Sequence, residues 1–155
     1  MGNILFHAEF VILNKNKHLK IIDAYQSIIQ DLNPYYGKQE AAAVFKLILE
    51  DFGLPRDEVI IHPERTLRYD QERRFLEIIT ELTREKPIQY VLGYAWFFDM
   101  KFYVNEDVLI PRQETEILVD IILRQSHEHA PRILDIGTGS GCIGLAVAHY
   151  YSRTR

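Results

Sequence analysis

Residues 133 to 146 read ILDIGTGSGCIGLA. Apolar residues around one acid, then glycines at 137, 139 and 141, describe a strand that enters a tight loop and leaves as a small-residue helix. Such a corner can bring main-chain atoms close to a ligand, because glycine has no Cβ and tolerates positive φ. Three ligand chemistries compete for it. A nucleoside triphosphate needs Gly-x-x-x-x-Gly-Lys-Ser/Thr, and no lysine follows Lys101, so that option fails. A nicotinamide or flavin dinucleotide fits the literal pattern, since Gly139-Ser140-Gly141-Cys142-Ile143-Gly144 is G-x-G-x-x-G. The third is S-adenosylmethionine. Asp135 stands two residues before Gly137, where a carboxylate repels a pyrophosphate and suits a ligand carrying an ammonium and a sulfonium. Coulomb sign thus favours the methyl donor, with the dinucleotide second. A loop with no ligand is the weakest reading, because three alternate glycines cost backbone entropy without structural need.

Other residues that could do chemistry have plainer readings. Cys142 is the only cysteine, so there is neither an intrachain disulfide nor a cysteine-based metal site; at a helix start without a partner base it reads as a small buried residue. His127 and His129 lie in a polar loop without further ligands and read as solvated. Trp96, Phe97, Phe98, Phe102 and Tyr103 read as linker core and not as a base-stacking platform, because the formal net charge is -4 and the basic residues form no stripe. No metal and no direct nucleic-acid partner is expected. With 47% hydrophobic and 26% charged residues, and no apolar run near the roughly 18 residues of a membrane span, a soluble cytoplasmic protein is expected. The N-terminal MGNILFHAEFVIL lacks the basic start and cleavage site of a signal peptide, and Phe6 stands where myristoylation wants Ser or Thr.

The elements that must position the loop follow from periodicity. Phe45, Ile48, Leu49 and Phe52 recur at i, i+3, i+4 and i+7, as do Phe75, Ile78, Ile79 and Leu82. Ile22, Tyr25, Ile29 and Leu32 make an earlier stripe, with Asn33-Pro34 as its expected stop. Gly53 and Pro55 should end the second helix, and Asp70 should cap the third. Stripes on short helices must bury one another, so residues from about 17 to 85 read as a helical bundle. After Pro87 the composition turns β-branched and aromatic, and WFF and KFYV around Asp99-Met100 read as a hairpin. A helix is expected over 113 to 126 with Leu118, Ile121 and Ile122 as its stripe, then the polar loop SHEHAPR, a buried strand ILDIG and a last helix from Cys142.

Read together, PIQYVLG at 87 to 93, Phe97, VLIPRQETE at 108 to 116 and ILDIGTGSGCIGLA resemble the protein-(glutamine-N5) methyltransferases of peptide chain release factors, the PrmC or HemK family. The resemblance covers about residues 17 to 155, and the Ile-Pro-Arg-x-Glu-Thr-Glu segment narrows it from class I methyltransferases at large to this family. One departure is Gln113, where the family usually has proline. It implies an α+β chain in three parts: a helical substrate-positioning domain over 1–85, a β-hairpin linker over 86–112, and over 113–155 the opening of a Rossmann-like methyltransferase domain. It implies S-adenosylmethionine as cofactor, wrapped by Gly137, Thr138, Gly139, Ser140 and Gly141 and supported by Asp135, a release factor as protein substrate, Phe97 beside the cofactor pocket and Arg112 as a linker anchor.

The amide nitrogen of glutamine is a poor nucleophile because its lone pair is delocalised, so a catalyst must fix both amide hydrogens and aim the nitrogen at the methyl group. In the family an Asn-Pro-Pro-Tyr motif does this, and an acidic residue on the following strand holds the ribose; neither occurs in these 155 residues. Asn33-Pro34-Tyr35-Tyr36 only mimics that motif, and reads as a helix stop and turn. The expectation is therefore part of a longer enzyme, with no catalytic residue in this chain. Two other readings stay beside it: a class I methyltransferase acting on a nucleobase amine, and a non-catalytic helical module that binds a release factor.

Overall fold

The computed structural model describes residues 18–125 and 132–153. The N-terminal apolar stretch, His127, His129 and most of the SHEHAPR loop lie outside the described residues. The chain divides into two compact units, with the boundary in the chain between Leu92 and Gly93.

The first unit is helical. Helices α1 (Ile21–Tyr36), α2 (Lys38–Asp51) and α4 (Tyr69–Leu82) carry its core, with the short α3 (Glu58–Ile61) and α5 (Ile88–Leu92) around them. The apolar faces meet as the i, i+3, i+4 spacing requires. Phe45 on α2 has the ring of Tyr25 from α1 edge-on at 5.3 Å and that of Phe75 from α4 at 6.4 Å. Ile28, Leu32, Ile48, Leu49, Ile78, Ile79 and Leu82 fill the space around them and are all essentially inaccessible to water. Each such side chain contributes about 1.5–3 kcal/mol when fully buried, so this cluster outweighs the exposed ion pairs on the surface of the unit.

Polar contacts fix how these helices join. Ile21 and Ile22 donate their N–H groups to the carbonyls of Arg65 and Pro63, and Leu67 N–H returns a bond to Leu19. The first-turn amides of α1, which have no partner inside the helix, are thereby satisfied by a distant segment. Glu72, buried on α4, accepts Leu19 N–H at 2.7 Å. Gln71 donates to the Phe52 carbonyl, and the Tyr36 hydroxyl donates to the Leu82 carbonyl at 3.1 Å. At the end of α2, Gly53 takes φ 70°, Leu54 N–H bonds to Leu49 and Gly53 N–H to Glu50, the double bond of a left-handed helix stop. The expected Gly-then-Pro ending is met.

Three local expectations are corrected. Asn33-Pro34 does not stop α1, which runs through Pro34 to Tyr36 and ends at Gly37 with φ 79°. A proline costs a helix the bond to the carbonyl four residues back. Here that carbonyl belongs to Gln30, on the exposed side, where water can take its place. Asn33-Pro34-Tyr35-Tyr36 is thus the end of a helix and not a turn between two, and Tyr36 works as a tie to α4. Asp70 is not the cap of α4. It is the second residue of the helix and pairs with Arg68 at 2.9 Å, while Arg68 N–H is held by the Gln71 side chain. The guanidinium of Arg68 keeps the Asp70 carboxyl below the usual carboxylate range. Residues 88–92, read as leading into strands, form α5, whose Val91 carbonyl accepts from Arg74 at 2.8 Å.

In the second unit, β1 (Tyr94–Phe97) pairs antiparallel with β2 (Met100–Tyr103) in the register Phe97 to Met100 and Tyr94 to Tyr103. The two-residue turn, Phe98 and Asp99, has φ of 48° and 60° at both positions, the combination that matches strand twist. Glu116 accepts the Phe98 N–H at 2.9 Å and so ties the turn to α6 (Gln113–Gln125). The last helix, α7 (Cys142–Arg153), packs on α6 through a small core of Phe97, Phe102, Val119, Cys142, Ala146 and Val147. Cys142 is buried at the helix start, as expected.

The second unit brings its own corrections. The inward stripe of α6 is Val119, Ile122 and Leu123; Leu118 and Ile121 are largely exposed. Of the aromatic cluster only Phe97 and Phe102 are core, while Trp96 and Tyr103 lie on the opposite, outer face of the hairpin, Tyr103 at 90% exposure. The Rossmann-like opening is not seen. Residues 133–136 form no strand, the only sheet among the described residues is the hairpin, and Ile133, Leu134 and Ile136 are exposed. A strand exists by its ladder, and no neighbouring strand is available to Ile133–Ile136 among the described residues. Mostly helical with one antiparallel hairpin is the observed architecture.

Two outcomes follow. Phe75→Ala should cost about 3–5 kcal/mol in urea unfolding, the range for emptying a buried aromatic site. Glu58, buried at the start of α3, accepts from Arg65 at 2.7 Å and faces His62 Nδ1 at 3.3 Å. The Arg65 hydrogen bond, against the opposing effect of burial, holds its carboxyl below the ordinary glutamate range. A depressed folded-state value stabilises the fold above the unfolded-state value of about 4.3, and that stabilisation is lost as pH falls through the lower folded value. Thermal melts of wild type and Glu58→Gln should therefore differ most near neutrality and converge as the pH drops below about 4; parallel curves down to acid pH would contradict it.

Candidate functional site

The glycine loop lies between segment 132–135 and α7. Gly137, Gly139 and Gly141 have φ of 76°, 54° and 76°, so all three alternate glycines occupy the left-handed region that side-chain-bearing residues avoid. This is the physical reason for the spacing. The turn is closed by Gly141 N–H bonding to the Thr138 carbonyl at 2.8 Å, and the helix begins with Leu145 N–H on the Gly141 carbonyl. A side chain at 137 or 139 would meet nothing within 4 Å, so those two glycines serve backbone conformation and open space, not internal packing. At Gly141 a Cβ would lie 3.3 Å from Leu145 Cδ1.

Asp135 is brought into this loop. Its Oδ2 accepts the Thr138 hydroxyl at 2.9 Å, and the same oxygen lies 3.4 Å from where a Cβ on Gly144 would stand. The carboxylate is thus braced on one side by the loop and on the other by the first turn of α7. Both roles that the sequence left open to Asp135, loop brace and ligand-facing charge, are compatible with this position. Gly144 carried no role in the sequence reading beyond completing G-x-G-x-x-G; its spacing was the available signal.

The expected site residues from 135 to 141 therefore cluster, with the loop itself largely exposed. Phe97 does not line an opening: it is 1% exposed and stacks edge-on with Phe102 in the core that also holds Cys142. It supports the start of α7 from below. Arg112 is exposed, and its carbonyl accepts Thr115 N–H at the beginning of α6. In the helical unit a separate open concavity of about 280 Å³ is lined by Tyr69, Asp70, Arg73, Arg74 and Glu77. Its charges are mutually paired, Glu77 with Arg73 and Arg74 and Asp70 with Arg68, and no titratable cluster suited to catalysis is formed there.

A loop that offers left-handed backbone and one braced carboxylate can take a ligand with donors and positive charge. Comparison with known proteins finds relatives of one kind. Residues 23–93 match the family model described as the PrmC N-terminal domain. A release factor glutamine methyltransferase from Flavobacterium psychrophilum is 38% identical over 142 residues, covering 88% of this chain and 47% of the relative. One from Bacteroides thetaiotaomicron is 40% identical over 127 residues, covering 81% and 45%. One from Streptococcus pneumoniae is 50% identical over 80 residues, covering 51% and 29%. The chain spans about half the length of the first two of these curated relatives. Residues 23–93 are thus similar to the PrmC N-terminal domain, and along most of its length the chain is similar to the N-terminal portion of the release factor glutamine methyltransferases.

Proposed function

We propose that this chain supplies the substrate-positioning and donor-binding parts of a cytoplasmic S-adenosylmethionine-dependent enzyme that methylates the side-chain amide of glutamine in a peptide chain release factor. The observation that carries the reading is the left-handed glycine loop with the Asp135 carboxylate held beside it, in a chain related to proteins of that name. Bound there, the donor would supply an electrophilic methyl group on a sulfonium. Gly137, Gly139 and Gly141 let the main chain approach it, Thr138 and Ser140 carry the loop between them, and Asp135 supplies the charge of opposite sign. Residues 1–85 act as the release-factor-positioning domain, 86–112 as the linker, and 113–155 as the opening of the donor-binding domain. The acceptor amide would be fixed by an Asn-Pro-Pro-Tyr motif, which does not occur in these 155 residues.

A second reading is favoured by one observation. The helical unit has a complete core of its own, whereas Ile133, Leu134 and Ile136 are exposed. By itself this chain would then act as a release-factor-binding module without methyl transfer.

Calorimetric titration separates the two. Saturable binding of S-adenosylmethionine, weakened at least about tenfold in Gly139→Val because a β-branched residue cannot hold φ near 54°, is the expected result. Binding of a release factor with no heat from the donor would leave the second reading, and neither interaction would sink both.

A further inference from the structure

Asp135 is held by two features that the donor-binding reading does not use. Thr138, inside the glycine loop, points its hydroxyl back to Oδ2 at 2.9 Å instead of outward. Gly144, two residues into α7 from Cys142, leaves a recess into which the same oxygen fits, 3.4 Å from the position of a Cβ and with the Asp135 Cβ at 3.8 Å. A carboxylate on a two-torsion side chain would otherwise sample several rotamers beside an exposed loop. With one oxygen engaged by Thr138 and backed by Gly144, a single orientation is selected.

We propose that Thr138 and Gly144 are positioning residues that aim the Asp135 carboxylate at the α-ammonium group of the methyl donor's amino-acid end. The proposal rests on the donor-binding reading above and deepens it: the loop glycines provide shape for any nucleoside ligand, whereas the braced carboxylate provides the preference for a ligand whose tail carries an ammonium group. A hydrogen bond from a neutral hydroxyl leaves the full negative charge in place while fixing where it sits, which a lysine or arginine partner would not do. Gly144 acts by the absence of a side chain. An ordinary contact of 3.4 Å accommodates a methyl group, but a γ-carbon would reach the carboxylate and turn it out of its seat.

The test compares two ligands on the full 155-residue chain, by calorimetry with thermal melts alongside: S-adenosylmethionine, and 5′-methylthioadenosine, which keeps the nucleoside and lacks the amino-acid tail. Thr138→Val and Gly144→Val should each weaken S-adenosylmethionine about tenfold while leaving methylthioadenosine within about twofold, a change of roughly 1.4 kcal/mol confined to the charged end. Thr138→Ser and Gly144→Ala should behave as wild type, since one restores the hydroxyl and the other stays within ordinary contact. Equal losses for both ligands, or none for either, in variants that melt like wild type would overturn the positioning role and leave the donor-binding reading intact. Failure of the wild type to bind S-adenosylmethionine at all would remove the donor-binding reading, and the positioning role with it.

Discussion

The helical unit depends on a short backbone ladder between residues far apart in the chain. The entry into α1, from Leu19 to Ile22, is bonded to the segment 63–67 by three main-chain bonds, and buried Glu72 takes the Leu19 amide that would otherwise be enclosed without a partner. A buried unsatisfied amide costs about 1–3 kcal/mol, comparable to the burial of a whole aliphatic side chain, so these bonds are conditions for closing the core and not additions to it. With α1 anchored at its start, its inner face is committed to Phe45, which in turn meets Phe75, and the tie from Tyr36 to Leu82 secures its other end. Even the proline in its last turn is tolerated because both ends are held elsewhere.

What could be read from the sequence follows which forces are local. The stripes of Phe45 to Phe52 and Phe75 to Leu82 were legible because a buried helix face is written at fixed spacing, and the Gly53 stop because one residue dictates a left-handed backbone. The hairpin was legible from two aromatic runs around a two-residue gap. The ladder from 19–22 to 63–67 was not, since main-chain bonds leave no residue signature. The register of α6 was missed by one position, for Ile117, Leu118, Val119, Ile121, Ile122 and Leu123 offer apolar residues on nearly every face, and only packing against Phe97 and Val147 chooses Val119. At the glycine loop the left-handed backbone was legible from glycine type and spacing, but the contact of Asp135 with Thr138 and Gly144 depends on how the loop folds back on the first turn of α7.

The two units illustrate different routes to order. The first buries a contiguous set of large aliphatic and aromatic side chains and needs no ligand to justify its shape. The second has a core cluster of six residues, two of them Phe97 and Phe102, and a hairpin whose turn places two residues with side chains at positive φ, held by the Glu116 carboxylate. Its glycine loop invests backbone freedom where no internal packing is gained. That imbalance, conformational cost without matching burial, is the mark of a surface shaped for something other than stability.

The exposed run Ile133, Leu134 and Ile136 has a practical side as well. An apolar stretch without a ladder can act as a template for edge-to-edge pairing between molecules, and its only charge is Asp135, one acid among four residues. A carboxylate in that position disfavours such pairing, since two segments aligned in register would bring two negative charges together. Neutralising Asp135 is therefore expected to lower solubility, a consequence independent of any ligand.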